Sequence, residues 1–329
     1  TGKVVCLSAG TAAVHLALIG CGVKAGDEVL VQSYTFCASS HPITYLGAKP
    51  IFVGSEGETW NMDPQLLEKA IIDRKEKTGK YPKAIIPVAL YGMPYHIDKI
   101  MAIADKYGIP VVEDAAEGMG SRFDGQVLGT FGRYGVLSFN GNKMITTSGG
   151  GALVCQSAED KNTVMWYATQ ARDAYPYYQH TAIGYNYRMS NVVAGVVRGQ
   201  FPYLKEHIAQ KKAIYERYKE GLKGLPVSMN PMDLENSEPN YWLSCMIINE
   251  EAMCKQVRGE QDVCYVKETG KSCPTEILEA IASINAEGRP IWKPMHMQPI
   301  YRLNPFVVRD GNAVSYTHLR APETLSDLV

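Results

Sequence analysis

Lys143 is the side chain in this sequence that is best placed to act as a nucleophile. It lies in residues 138–151 (SFNGNKMITTSGGG), a loop rich in Gly, Ser and Thr that follows a predicted strand. A lysine that is partly desolvated in such a loop favours the neutral amine, which can form a Schiff base with a carbonyl compound. Taken alone, the same pattern also describes a surface lysine in a turn.

A carboxylate stands at the end of another apolar run. In residues 111–117 (VVEDAAE), Asp114 follows a predicted strand, and small residues separate it from Glu117. An acid that leaves a buried strand must be paired or hydrogen-bonded, and a protonated ring nitrogen of a cofactor would be one suitable partner. The alternative interpretation is a helix N-cap at Asp114.

Residues 8–13 (SAGTAA) form a small-residue turn that opens a predicted helix. Free backbone N–H groups, the helix dipole and the Thr11 hydroxyl would make Gly10, Thr11 and Ala12 a binding site for a phosphate. By itself, the segment fits a plain helix start that contains glycine better.

A polar and aromatic segment, residues 184–190 (GYNYRMS), precedes a long predicted helix. Asn186 and Arg188 are of types that bind oxyanions, although a simple capping turn would look the same. Taken together, the segments suggest a phosphate, a pyridinium nitrogen and a Schiff-base lysine. A protein holds pyridoxal phosphate through these three groups.

Strands that alternate with helices must position these segments. The predicted strands are Glu28–Gln32, residues 50–53, 83–89, 110–113 and 136–139, and Gly151–Cys155. An apolar stripe at helical spacing predicts a helix around residues 97–107, and Asp63 before Pro64 predicts the start of another. A third helical segment is expected from Met189 to Leu222. This alternation is typical of a sheet with crossover helices, at whose strand ends ligands bind.

Composition narrows the class of protein. The 329 residues are 46% hydrophobic, and at about 150 residues per domain they favour two domains. A net charge of −1 without basic clusters argues against nucleic acid as a partner. No apolar run approaches the roughly 20 residues of a membrane helix, and no signal peptide is recognisable, so we expect a cytoplasmic protein with no membrane partner. The eight cysteines match no zinc pattern, and we expect free thiols and no metal.

As an ordered set, these segments, together with residues 26–29 (GDEV) and 34–36 (YTF), resemble the DegT/DnrJ/EryC1/StrS family of sugar aminotransferases. The resemblance extends to about Ser315. It implies an α/β protein with the type I aspartate aminotransferase fold, in which a large mixed-sheet α/β domain binds pyridoxal 5′-phosphate and a smaller C-terminal α+β domain follows. It also implies a homodimer whose active sites are shared between subunits.

The resemblance also implies a role for each site residue. Lys143 would form the internal aldimine, and Asp114 would bind the pyridine nitrogen. The other cofactor contacts would be Phe36 stacked on the ring, Glu117 near the ring hydroxyl, Gly10, Thr11, Ala12 and Ser138 at the phosphate, Asn140 in the lysine loop, and Asn186 at the phosphate of the neighbouring subunit's cofactor.

The implied reaction moves an amino group from L-glutamate to a nucleotide-linked keto sugar. A lysine at position 143 separates this chain from the dehydratases of the same family, which have histidine there. The sequence Asn140-Gly141-Asn142 resembles the branch that acts on UDP-4-keto-6-deoxy-N-acetylhexosamines. Three readings stay open: this aminotransferase, a pyridoxal-phosphate lyase or dehydratase of the same fold, and a truncated cofactor-binding protein without turnover. A 3-keto substrate would leave the sequence nearly unchanged.

Residues 289–299 (RPIWKPMHMQP) support a nucleotide substrate. Trp292 offers an aromatic face, and Lys293 and His296 offer charge and hydrogen bonds, a combination suited to a nucleoside diphosphate. With Arg188, they are the predicted substrate-binding residues. The alternative is a proline-rich linker whose tryptophan packs on the core.

The predicted domains are residues 1–205, which bind the cofactor, and 206–315, which form the smaller domain. Similar proteins have some tens of residues before the position of Cys6, so we expect an N-terminal segment of the large domain to be missing. Residues 316–329 show no resemblance and are predicted to be a non-native tail.

Overall fold

The structure, a computed structural model, describes residues 3–258 and 263–309. The predicted tail at 316–329 and residues 310–315 of the predicted second domain lie outside these ranges. In chain order the strands are β1 (Val4–Leu7), β2 (Glu28–Gln32), β3 (Lys49–Val53), β4 (Ala84–Ile86), β5 (Val112–Asp114), β6 (Arg122–Phe123), β7 (Gln126–Val127), β8 (Tyr134–Ser138), β9 (Gly151–Cys155), β10 (Val227–Met229), β11 (Ser237–Glu238), β12 (Met246–Ile248), β13 (Lys255–Arg258), β14 (Val263–Val266) and β15 (Phe306–Val307). The α-helices are α1 (Gly10–Gly20), α2 (His41–Tyr45), α3 (Pro64–Thr78), α4 (Ile97–Tyr107), α5 (Ala158–Ala168), α6 (Asn191–Gln200), α7 (Leu204–Gly221) and α8 (Pro274–Ser283).

Two four-stranded sheets carry the site. One has the order β1-β9-β8-β5 and the other β15-β3-β2-β4. β5 pairs with β8 in parallel, whereas β8–β9 and β9–β1 are antiparallel. The pairs within the second sheet are parallel. The mixed sheet and its crossover helices confirm the predicted fold class.

Isolated parallel bridges join the two sheets between β4 and β5. Asp114 N donates to Pro87 O at 3.0 Å, and Ala89 N donates to Asp114 O at 3.1 Å. The predicted strand at 83–89 is therefore shorter, because Pro87 has no N–H and interrupts the ladder after Ile86. This junction places the end of β5, with Asp114, in the middle of the combined sheet.

Helices cover both faces of the sheet. α1 is buried along most of its length and packs with β8 and β9 in one core cluster, whereas α3 and α4 pack on the opposite cluster. α3 begins as predicted, since the Asp63 carboxylate accepts hydrogen bonds from Gln65 N and Leu66 N and Pro64 takes the first turn. α4 has the predicted bounds and buries Ile97, Ile100 and Ala104.

The long helix predicted from Met189 to Leu222 is two helices. α6 ends at Gln200, a short 3₁₀ turn spans Phe201–Tyr203, and α7 begins at Leu204. Pro202 lies in this turn and cannot donate the backbone hydrogen bond that a continuous helix requires. The prediction of one continuous helix was wrong for this reason.

The C-terminal part of the chain returns to the main sheet twice. β11 pairs with β6, and β15 adds to β3 in parallel at the edge of the second sheet. Both strands lie inside the predicted second domain, so residues of that domain contribute to the large one; the boundary near 205 stays a prediction. No helix in the described part of the chain has the length and apolar character needed to cross a bilayer.

Candidate active site

Lys143 lies in the turn after β8, and its side chain points into the protein. The side chain is 11% exposed, and Nζ lies 3.5 Å from Glu117 Oε1. Nζ also lies over the Trp242 ring, 4.0 Å from the centroid. Backbone N–H of Lys143 donates to Asn140 O, which closes the turn. The amine is therefore held between a carboxylate and an aromatic face, unlike a solvated surface lysine.

Asp114 is the last residue of β5 and is 5% exposed. Its Oδ2 accepts a hydrogen bond from Ser39 Oγ at 2.7 Å, and Oδ1 accepts one from Ala116 N at 3.2 Å. Burial raises the pKa of Asp114, and these hydrogen bonds and the charge of Lys143 oppose the shift. Both hydrogen-bond donors are uncharged, so a cationic ligand group beside this carboxylate would stabilise its ionised form.

Glu117 links the Lys143 loop to the turn after β4. Its Oε2 accepts from Tyr91 N at 2.8 Å, while Oε1 faces Lys143. Burial raises the pKa of Glu117 to about 7, against the opposing effect of the Lys143 charge. A carboxyl group with this pKa can exchange a proton with its neighbour near neutral pH.

The predicted phosphate cradle is a helix start without a side-chain cap. α1 begins at Gly10, and the preceding residue, Ala9, has no polar side chain. A Cβ on Gly10 would lie 3.0 Å from Ser138 Cβ, so the glycine lets the end of β8 approach the helix N-terminus. The first N–H groups of α1, including those of Thr11 and Ala12, are available to an anion.

Aromatic side chains continue from the Trp242 ring and form an aromatic wall of Trp242, Tyr91, Trp292 and Phe36. The Trp292 ring centroid lies 5.1 Å from that of Tyr91 and 5.5 Å from that of Phe36, which is half-exposed. Tyr91 has a φ of 53°, a conformation that bulky residues rarely adopt. This backbone conformation occurs where Tyr91 N reaches Glu117, so the strain coincides with a contact of the site.

Sequence reasoning missed Trp242 and Asn240. Both lie in the predicted second domain, between β11 and β12, yet Asn240 is fully buried and Trp242 is 2% exposed. The signal was the sequence Pro239-Asn240-Tyr241-Trp242, since two large aromatic residues are unusual in a solvated linker.

In the described residues, the contacts of Asn186 and Arg188 are with other parts of the chain than Lys143. Their segment hydrogen-bonds to the end of α5 and to the residue after β1, through Tyr187 N to Ala168 O and Ser8 N to Tyr187 O. Both side chains are exposed. Ser8 opens the turn into α1, so the segment runs next to the predicted phosphate cradle.

The predicted nucleotide-binding residues have different environments. Trp292 packs on the aromatic wall, and Lys293 is exposed. His296 Nδ1 lies 2.6 Å from Ser33 Oγ, and the ring stacks on Phe306 at 3.6 Å. Burial lowers the pKa of His296 to about 3, so this ring is neutral near pH 7. It packs the edge of the sheet and does not supply the charge expected from the sequence.

Asn140 follows Ser138 at the mouth of the lysine loop. Its backbone N–H donates to Ser138 Oγ at 3.4 Å, and its side chain donates to Asn142 Oδ1 at 3.2 Å. The Asn140 side chain is exposed and helps to shape the turn that carries Lys143. Its predicted contact with the cofactor stays a prediction.

Known proteins are similar to this chain in sequence and in fold. Residues 1–317 match the DegT/DnrJ/EryC1/StrS aminotransferase family. A Bacillus subtilis protein named as a pyridoxal phosphate-dependent aminotransferase, EpsN, is 42% identical over 295 residues, which are 90% of this chain and 71% of that protein. GDP-perosamine synthase of Escherichia coli O157:H7 is 33% identical over 296 residues, 90% of this chain and 73% of that enzyme.

A solved structure gives the same result. Spr1654 of Streptococcus pneumoniae, named as a sugar aminotransferase and solved in its PLP form, superposes with a TM-score of 0.78 at 25% identity. The match covers 92% of this chain and 76% of that one. The chain therefore belongs to the DegT/DnrJ/EryC1/StrS aminotransferase family, whose cofactor is pyridoxal 5′-phosphate.

Proposed function

We propose that this protein transfers the amino group of L-glutamate to a nucleotide-linked keto sugar, with UDP-4-keto-6-deoxy-N-acetylhexosamine as the expected acceptor. The observation that carries the proposal is the position of Lys143, whose Nζ lies 3.5 Å from Glu117 and close enough to Asp114 for their charges to interact. A lysine and two buried acids around one space are the groups that aminotransferase chemistry requires.

The residues present fit pyridoxal phosphate. The uncapped start of α1 at Gly10 would hold the phosphate, and the buried carboxylate of Asp114 would pair with the protonated ring nitrogen. The half-exposed Phe36 ring would cover a face of the cofactor, and Lys143 would bond its aldehyde carbon. Each cofactor group thus has a chemically suitable partner in this chain.

Each residue around the cofactor would then have a separate role in the reaction. When bound, the cofactor supplies an electron sink for the charge left on the donor's α-carbon. Lys143 Nζ would carry the proton from that carbon to C4′ of the cofactor, and Asp114 would keep the proton on the ring nitrogen. Glu117, with its pKa of about 7, takes up and returns a proton at Lys143 Nζ. The aromatic wall excludes water from the lysine.

Exposed side chains would bind the acceptor. Lys293 and Arg188 would contact the diphosphate, and Trp292 would offer its face to the base or sugar. The name of the Escherichia coli relative points to a GDP-linked sugar, so the nucleotide and the aminated carbon are the points to be tested.

The test is a direct transfer assay. Purified protein with pyridoxal phosphate is given ¹⁵N-labelled L-glutamate and a panel of UDP-, dTDP- and GDP-linked 3-keto and 4-keto sugars. We expect ¹⁵N at C4 of the UDP-linked sugar by NMR, together with release of 2-oxoglutarate. Amination of another sugar in the panel would identify that sugar as the acceptor instead. No transfer to any of them by cofactor-loaded protein would contradict the proposed function.

We also propose that the active unit is a homodimer in which Asn186 serves the partner's site. Large apolar side chains are exposed around this segment, among them Tyr178 at 79%, Ile183 at 83% and Val192 at 80%. No side chain of α6 is buried within the described residues. An apolar surface of this kind is typical of a protein–protein interface, and a two-fold axis would apply it to a second copy.

Mixing two inactive variants tests the shared site. Lys143→Ala and Asn186→Ala chains, unfolded and refolded together, should recover about a quarter of the wild-type rate, because half of randomly formed dimers would contain one intact site out of two. The matched control is a mixture of Lys143→Ala with Asp114→Asn. These two residues belong to the same chain's site, so each site of a mixed dimer keeps one defect and no activity should be recovered. Equal behaviour of the two mixtures would argue against the shared site.

A further inference from the structure

Asn240 fixes the C-terminal part of the chain against the residues around Glu117. Its Nδ2 donates to Glu117 O at 2.7 Å and to Met119 O at 3.0 Å. Its Oδ1 accepts from Trp242 N at 2.9 Å. A Cβ on Gly92 would collide with the Asn240 side chain, so the glycine makes room for it. The backbone before Trp242 is therefore held against the residues around Glu117.

Trp242 uses this anchor to make two contacts with the lysine turn. Its indole N–H donates to Asn142 O at 2.8 Å, and its ring lies 4.0 Å from Lys143 Nζ. About 100 residues of sequence separate Trp242 from that turn, so the contacts are purely tertiary. One contact restrains the backbone immediately before Lys143, and the other restrains the tip of its side chain.

We propose that Trp242 is the positioning residue for Lys143, through which the C-terminal part of the chain holds the amine ready to bond the cofactor. The proposal rests on the function proposed above only in taking Lys143 as the residue that bonds pyridoxal phosphate. Capture of the cofactor forms a C=N bond between Nζ and the aldehyde carbon and releases one water.

The physical reason is the loss of freedom that the two contacts impose. An unrestrained lysine has four rotatable side-chain bonds, and holding Nζ near its target removes that entropy before the reaction. The face of the Trp242 ring also attracts the ammonium form of Lys143. This attraction would by itself slow the attack of the neutral amine on the aldehyde carbon. Glu117 remains 3.5 Å away and can accept the ammonium proton with or without Trp242, so removing the ring mainly removes the positioning.

The test compares two ligands that differ only in their ability to bond the lysine. Pyridoxal phosphate has the aldehyde, whereas pyridoxamine phosphate does not. We expect Trp242→Leu to slow pyridoxal phosphate capture, followed by stopped-flow absorbance, by about tenfold, because the amine is no longer held near its target. The dissociation constant of pyridoxamine phosphate, from calorimetry, should change by less than about twofold.

Trp242→Phe keeps an aromatic face and loses only the indole N–H, so its effect should be smaller than that of Trp242→Leu. If the leucine variant does not fold, the phenylalanine variant carries the test. Trp166→Leu is the matched control, because Trp166 also donates its indole N–H to a carbonyl, that of Arg172, but is only partly buried and lies in α5, outside the lysine turn. It should capture both ligands at wild-type rates.

A double-mutant cycle separates positioning from packing. In a Lys143→Ala background, Trp242→Leu should not alter the noncovalent affinity for pyridoxal phosphate, because the residue through which Trp242 acts is gone. Equal losses for both ligands, or an unchanged or faster capture in the leucine variant, would overturn the proposal. Failure of the wild-type protein to bond the cofactor at Lys143 would instead overturn the proposed function.

Discussion

Replacing Lys143 with alanine is expected to abolish covalent attachment of pyridoxal phosphate and to lower the rate of amino transfer by about 10³-fold or more. The reason is that one nitrogen would serve both as the bonding group and as the group that moves the proton. No other lysine is placed between Glu117 and Trp242 in the described residues. Borohydride reduction followed by peptide mapping measures the attachment, and the ¹⁵N assay measures the rate.

Lys143→Arg is the matched control for charge. The guanidinium keeps a cation opposite Glu117 and against the Trp242 ring, but it cannot form the C=N bond. We expect this variant to fold like the wild type and to be as inactive as the alanine variant. A pyridoxyl label on another lysine, such as the exposed Lys293, would contradict the assignment.

The parts of the site that depend on local sequence were predictable. β2 and β9 have the predicted bounds, and α3 starts at its predicted cap, because the apolar pattern and the Asp-Pro pair act within a few residues. Since the carboxyl ends of neighbouring strands meet at one edge, this also predicts that Asp114 and Lys143 lie near each other. In the structure, the charge of Lys143 opposes the rise in the pKa of Asp114.

Contacts between distant parts of the chain were not predictable. β1 is a short edge strand of four residues, too brief to show a pattern. The pairing of β11 with β6 and the contact of Trp242 with Asn142 join residues that only the tertiary fold brings together. The spacing of apolar residues shows which face of a helix or strand a side chain occupies. It does not show which distant segment of the chain packs against that face. The same limit applies to His296, whose partners are Ser33 and Phe306.

Glu113 and Asp114 show how adjacent acids acquire different roles. Successive residues of a strand point to opposite faces, so the two carboxylates enter different environments. Glu113 accepts backbone N–H groups of Gly129, Phe131 and Gly132 and thereby closes a loop. Asp114 has fewer donors and faces the Lys143 side of the sheet. Burial raises the pKa of both, but only Asp114 lies where a ligand cation could restore its charge.

Asp114→Asn should therefore lower the rate of amino transfer by about 10²-fold or more while leaving much of the cofactor binding intact. The amide oxygen can still accept from Ala116 N, and the Ser39 hydroxyl can rotate to accept from the amide NH₂, so the strand end keeps its local structure. Without the carboxylate, however, nothing holds the proton on the ring nitrogen, and the electron sink is weakened. Turnover in the ¹⁵N assay and cofactor affinity by calorimetry give the two quantities.

Glu113→Gln is the control that separates chemistry from stability. Its amide group would meet three backbone N–H donors with one acceptor oxygen, so the melting temperature should fall. The rate per folded, cofactor-loaded site should remain close to that of the wild type, because Glu113 faces away from Lys143. The Asp114 assignment predicts the opposite pattern, with a large loss of rate and little change in melting temperature. Near-normal turnover by Asp114→Asn would show that another group controls the proton on the ring nitrogen.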